Sequence, residues 1–69
     1  MRPAHDFTPQ EIAWARSQLP IRDRERLSVE LGRAPEWSIK RARHRRAREA
    51  GLSRARHREL IRFVERDAR

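Results

Sequence analysis

Lys40, Arg41, His44, Arg45 and Arg48 stand within nine residues of one another, with Arg43 and Arg46 between them, and no other stretch gathers so many side chains able to do chemistry. That chemistry is the holding of anions. A guanidinium is a planar fork that clamps a phosphate or bonds guanine O6 and N7 together. At helical spacing, Trp37, Lys40, Arg41, His44, Arg45 and Arg48 share one basic face with an aromatic at its N-terminal end. The charge is segregated as well as abundant. Residues 1–35 carry 6 basic and 5 acidic groups, residues 36–58 carry 9 and 2, and residues 59–69 carry 3 and 3, so the middle third holds seven of the net +8 charges. A codon bias toward arginine would spread the surplus evenly, whereas both flanks are close to balance. A polyanion responds to such a patch more strongly than to a diluted net charge.

Other chemistries find little support. His5, His44 and His57 have no cysteine nearby and no i,i+4 partner, so no metal site is expected. His44 and His57 read as extra donors in the basic surface or as solvated side chains. There is no glycine-rich phosphate loop, no Ser/His/Asp grouping with a supporting motif and no carboxylate pair in an apolar setting. The expectation is a binding protein without a cofactor, not an enzyme.

The elements that must position these residues are helices, and the punctuation is strong. Sixty-nine residues allow one domain with one small core. With no cysteine, the supplement to that core is economical helix packing or self-association. Residues 1–6 read as a loose tail. Thr8 can cap a first helix over 8–19, with Pro9 at its first position and Glu11 closing a capping box. Phe7 and Ile12 are spaced for a hydrophobic staple, and Ile12, Ala15 and Leu19 share a face. Pro20 should stop this helix. Trp14 lies off the stripe and either covers a second surface or awaits a partner.

Asp23 can cap a second helix, 24–31, with Leu27 and Leu31 turned inward and Gly32 ending it. A third helix, 35–50, starts at Pro35 with Ala34 at the cap position, and its inner side collects Pro35, Ile39, Ala42 and Ala50. Gly51 and Leu52 suit its C-terminal stop. Ser53 can cap a fourth helix, 54–67, whose Leu60, Ile61 and Val64 form an apolar stripe with Phe63 beside it. No strand pattern is present, so the fold class is all-α.

The segment from Phe7 to Leu52 resembles the homeodomain-like, Myb-like trihelical helix-turn-helix modules of small bacterial and phage regulators. The resemblance covers two thirds of the chain and is carried by FTPQEIAWAR, ERLSVELGR and APEWSIKRAR leading to AGL. It implies a recognition helix over 35–50 lying in the major groove of DNA. Lys40, Arg41, His44 and Arg45 would then face base edges, while Arg48, Arg54, Arg56 and Arg58 would contact phosphates. The 54–67 helix is an addition to that plan, closing the core in cis or pairing with a second copy as a homodimer.

Two functions follow. The first is a small DNA-binding transcriptional regulator. The second is a phage-type inhibitor or anti-activator that blocks a host regulator or ATPase, anchored by Trp14, Trp37, Arg41 and the apolar Leu60, Ile61, Phe63 and Val64. RNA would suit the same arginines, but the chain lacks several stacking aromatics. Membrane-surface binding is disfavoured by charge around most of the basic helix. Residues 1–8 contain no apolar run like that of a signal peptide, so a cytoplasmic location is expected.

Overall fold

The computed structural model describes residues 6–68. They form three α-helices and no strand: α1 (Pro9–Glu30), α2 (Glu36–Glu49) and α3 (Arg54–Asp67). The all-α class is as expected, but the count of helices is not. His5 and all but Asp6 of the expected tail lie outside the described residues.

α1 starts where local chemistry says it should. Thr8 is the N-cap; its hydroxyl accepts from the Glu11 N–H at 3.1 Å, and its own N–H donates to Glu11 Oε1 at 2.8 Å. The helix then continues through Pro20 to Glu30, so the expected first and second helices are one element of 22 residues. Asp23 caps nothing and lies exposed in its interior. A proline inside a helix removes the hydrogen bond to the carbonyl four residues back, at a cost of about 3 kcal/mol. Tertiary contacts on both sides of Pro20 outweigh that cost. Ala15 and Gln18 are buried before it, and Arg22 and Glu25 form ion pairs with α3 and α2 after it. Residues 21–30 also contain no glycine, proline or asparagine to favour a turn.

Both interhelical stops are Schellman motifs. After α1, Gly32 at φ +71° donates to the Val29 carbonyl at 3.0 Å and Arg33 to that of Ser28 at 2.8 Å. After α2, Gly51 at φ +79° donates to Arg48 and Leu52 to Ala47, each at 2.9 Å. Each glycine takes the left-handed conformation that releases the last carbonyls of its helix to these two donors. The N-cap of α2 is Pro35, not Ala34, and it offers no side-chain hydrogen bond. Ser53 caps α3 by accepting from the Arg56 N–H at 3.2 Å.

Because Pro9–Glu30 is one helix, only two helices precede Leu52 among the described residues, and the expected trihelical core with an added fourth helix does not form. No fourth helix exists among the described residues; the C-terminal helix is the third. It packs mainly on α1 and secondarily on α2. Ala15, Leu60, Ile61 and Val64 make the core cluster, with Phe7, Ile12, Trp14, Leu19, Leu52 and Phe63 packed around it. The rings of Phe7 and Phe63 lie 5.6 Å apart. α2 contributes a buried Ala47, with Ile39 and Ala42 half-buried and Pro35 and Ala50 exposed. Leu27 and Leu31, expected inside, are 54% and 56% exposed.

What joins α1 to α2 is polar. Arg46 donates to Gln18 Oε1 at 2.9 Å and to both Glu25 oxygens at 3.1 and 3.2 Å, while Arg43 donates to Glu25 at 3.0 Å and to the Arg22 carbonyl at 3.4 Å. Among the described residues no helix is long and apolar enough to cross a membrane.

Candidate functional site

The fold divides the arginines into two populations. Arg43 and Arg46 close on Glu25, Arg56 on Glu11, Arg16 on Asp67, and Arg22 reaches toward Glu65. Arg24, Arg26, Arg33, Arg41, Arg45, Arg48, Arg54, Arg58, Arg62 and Arg66 have no side-chain hydrogen-bond or ion-pair partner among the described residues, and seven of them, from Arg41 onward, are exposed on α2 or α3. Structural duty consumes the first group except Arg22, whose pair is long at 3.9 Å. The second is free to meet an external anion.

Part of the free group borders a cleft of about 540 Å³, where the helices contribute basic ladders at i,i+4 spacing. Arg22 and Arg26 come from α1; Lys40, Arg43 and His44 from α2; Arg54, His57, Arg58, Ile61, Arg62 and Glu65 from α3. Seven cations thus face one carboxylate. Among the described residues Ile61 is the one apolar side chain in the lining, and the only rings there are the imidazoles of His44 and His57.

The electrostatics record this crowding. Burial pushes the His44 imidazole below its usual range, and Arg54, Arg58, Arg48 and Lys40 push it further. Burial does the same to His57, reinforced by Arg22, His44, Arg46 and Arg43. Arg22 is lowered first by burial and then by Arg43. Its Nε is buried without a hydrogen-bond partner, and its ion pair with Glu65 spans 3.9 Å. Glu25 contrasts with these. Burial raises its carboxyl, but hydrogen bonds from Arg46 and Arg43 outweigh burial and hold it below its ordinary range.

Lys40 and His44 lie in the cleft, whereas Arg41 and Arg45 are exposed on α2 outside it. Lys40 also pairs with Glu36 at 3.4 Å across one exposed turn. Arg54 and Arg58 line the cleft; Arg48 is exposed but is not part of its wall. Arg56 is a correction. It is committed to Glu11 at 2.6 and 2.9 Å and to the Asp6 carbonyl at 3.0 Å, and it lies 5.0 Å from the Phe7 ring centre, so it is a structural clamp.

The apolar anchors divide similarly. Leu60, Ile61 and Val64 are buried against α1, and Phe63 is half-buried beside Phe7, so this stripe is covered within the chain instead of being open to a second copy. Trp14 packs on the core with its ring edge-on to His57 at 5.8 Å. Trp37 alone of the anchors stays open, 65% exposed.

Arg22, Arg26 and Arg62 were missed from the sequence, although spacing marks them: 22 and 26 on one helix, and 54, 58 and 62 on another, each repeat at one turn. Among the described residues no three His, Asp or Glu side chains gather closely enough to hold a metal ion. Comparison with protein-family models, curated proteins and solved structures finds no match for this chain.

Proposed function

We propose that this protein is a small cytoplasmic DNA-binding regulator that presents the exposed face of α2 to the major groove, flanked by phosphate-contacting arginines of α3. One observation carries the reading: the acidic side chains neutralise the arginines inside the fold, while Arg41, Arg45, Arg48, Arg54, Arg58 and Arg62 stay unpaired on adjoining helices. A surface with so large an excess of one sign attracts a polyanion over a range set by the ionic strength. Arg41 and Arg45, on the exposed side of the middle of α2, are the base-edge contacts, and Arg48, Arg54 and Arg58 supply phosphate affinity.

The test is a fluorescence-anisotropy titration of a mixed-sequence duplex at about 50 and 200 mM salt. Four to six phosphate contacts predict a loss of about two to three orders of magnitude in affinity across that range. Absence of binding at the lower salt overturns the reading.

A second reading has its own observation. Trp37, Leu27 and Leu31 are the large apolar side chains left most exposed, and an exposed tryptophan beside arginines is the composition of a protein-binding hot spot. On this reading the chain blocks a host regulator or ATPase, with Trp37 and Arg41 as anchors.

A further inference from the structure

The cleft between the three helices has a chemistry more specific than a basic surface. Seven cations from three helices line a space of about 540 Å³, Arg26, Arg54, Arg58 and Arg62 of them without a partner among the described residues, and its single carboxylate is a long 3.9 Å from Arg22. Arg22, in its wall, is partly desolvated and keeps a buried Nε–H with no acceptor. A buried donor left unpaired and a concentration of like charge are both costly. An anion relieves the charge repulsion at once.

We propose that this cleft seats one phosphate group, held by Arg22, Arg58 and Arg62 with His44 and His57 at its edge. The lining also says which part of a strand the cleft takes. With seven cations and, among the described residues, Ile61 as its one apolar side chain, it suits a backbone phosphate better than a buried nucleobase. Guanidinium forks from two helices suit the tetrahedral oxygens, and the two histidines, neutral in the empty cleft, gain protons when a phosphate offsets the surrounding arginines. The source of that phosphate as DNA backbone rests on the function proposed above; the seat itself does not.

The test separates the two. Inorganic phosphate at tens of millimolar, compared with chloride at equal ionic strength, raises the melting temperature and shifts the His44 and His57 ring resonances, with their titration moved to higher pH. The exposed double substitution Arg58→Gln with Arg62→Gln removes both effects, while Arg24→Gln with Arg66→Gln, equal in charge and outside the cleft, keeps them. Equal stabilisation of both double variants, or no response of the native chain, overturns the seat. With a duplex, the cleft variant lowers the slope of log affinity against log salt by about 0.9 for the one phosphate lost. Duplex binding with an unchanged slope in that variant overturns the DNA backbone as the source of the phosphate and leaves the DNA reading of α2 standing. A phosphate response without duplex binding overturns the DNA reading and leaves the seat standing.

Discussion

Arg56 of α3 closes a two-bonded fork onto Glu11 of α1, at 2.6 and 2.9 Å, and Glu11 is also the carboxylate that completes the capping box with Thr8. One side chain therefore starts the first helix and ties it to the third. The same guanidinium covers Phe7 and accepts no external role. Basic residues in this chain cannot be assigned to a ligand by count alone, because the acids choose first.

That double duty holds the Glu11 carboxyl at about 2, down from the usual 4.5, chiefly through the Arg56 hydrogen bond and then through the Thr8 backbone N–H. A depressed carboxylate contributes stability that is fully present above the unfolded value and is lost as pH falls through the folded one. The melting temperature is therefore expected to drop between pH 4.5 and pH 2. Glu11→Gln lowers it at neutral pH and flattens that drop. Thr8→Ala, which removes the cap acceptor, costs about 1 kcal/mol. An acid limb of the same steepness in Glu11→Gln would remove this carboxylate from the account of acid unfolding.

Leu60 is fully buried at the centre of a small core. Leu60→Ala should cost about 2–5 kcal/mol, a large part of the roughly 3–10 kcal/mol expected for a chain this size. Urea unfolding measures it. Because the stripe docks on α1 in cis, the melting temperature of the native chain should not depend on protein concentration, as it would if this face closed only in a dimer.

The local signals were legible, and the long-range ones were not. Thr8, Glu11, Gly32, Gly51 and Ser53 act within one turn of themselves, and each does in the structure what its type and neighbours imply. Pro20 and Asp23 carry equally local signals, yet they are overruled by partners far along the chain: Glu25 by Arg43 and Arg46, Arg22 by Glu65, Arg16 by Asp67. Leu27 and Leu31 fit an apolar stripe but stand outside because α1 and α2 meet through arginines instead of apolar side chains. The basic face of α2 was readable on one helical wheel. The cleft was not, since a single wheel cannot show which faces of three helices converge.

Pro20 gives the most direct check on that competition. It is exposed, so its removal uncovers little of the core. Pro20→Ala restores a backbone donor for the Arg16 carbonyl and a better helix former, and is expected to raise stability by about 1–3 kcal/mol. In a chain of this length that is roughly 4–8 °C in melting temperature per kcal/mol. An unchanged or lower melting temperature would mean that α1 needs the geometry the proline imposes.

Trp37 and Arg41 decide between the two functional readings. Both are exposed on α2, so alanine at either should leave stability within about 0.5 kcal/mol, and any loss of binding is then a loss of contact. If α2 reads DNA, Arg41→Ala removes a base-edge fork worth about 1–3 kcal/mol, roughly five- to hundredfold in duplex affinity, and Trp37→Ala does less. If the chain instead blocks a protein, the order inverts, because a hot-spot tryptophan costs about 2 kcal/mol or more when truncated. Anisotropy with a duplex measures the first, and an activity assay in the host cell measures the second. Activity abolished by the tryptophan change, with both activity and duplex affinity intact after Arg41→Ala, ends the DNA reading of this face.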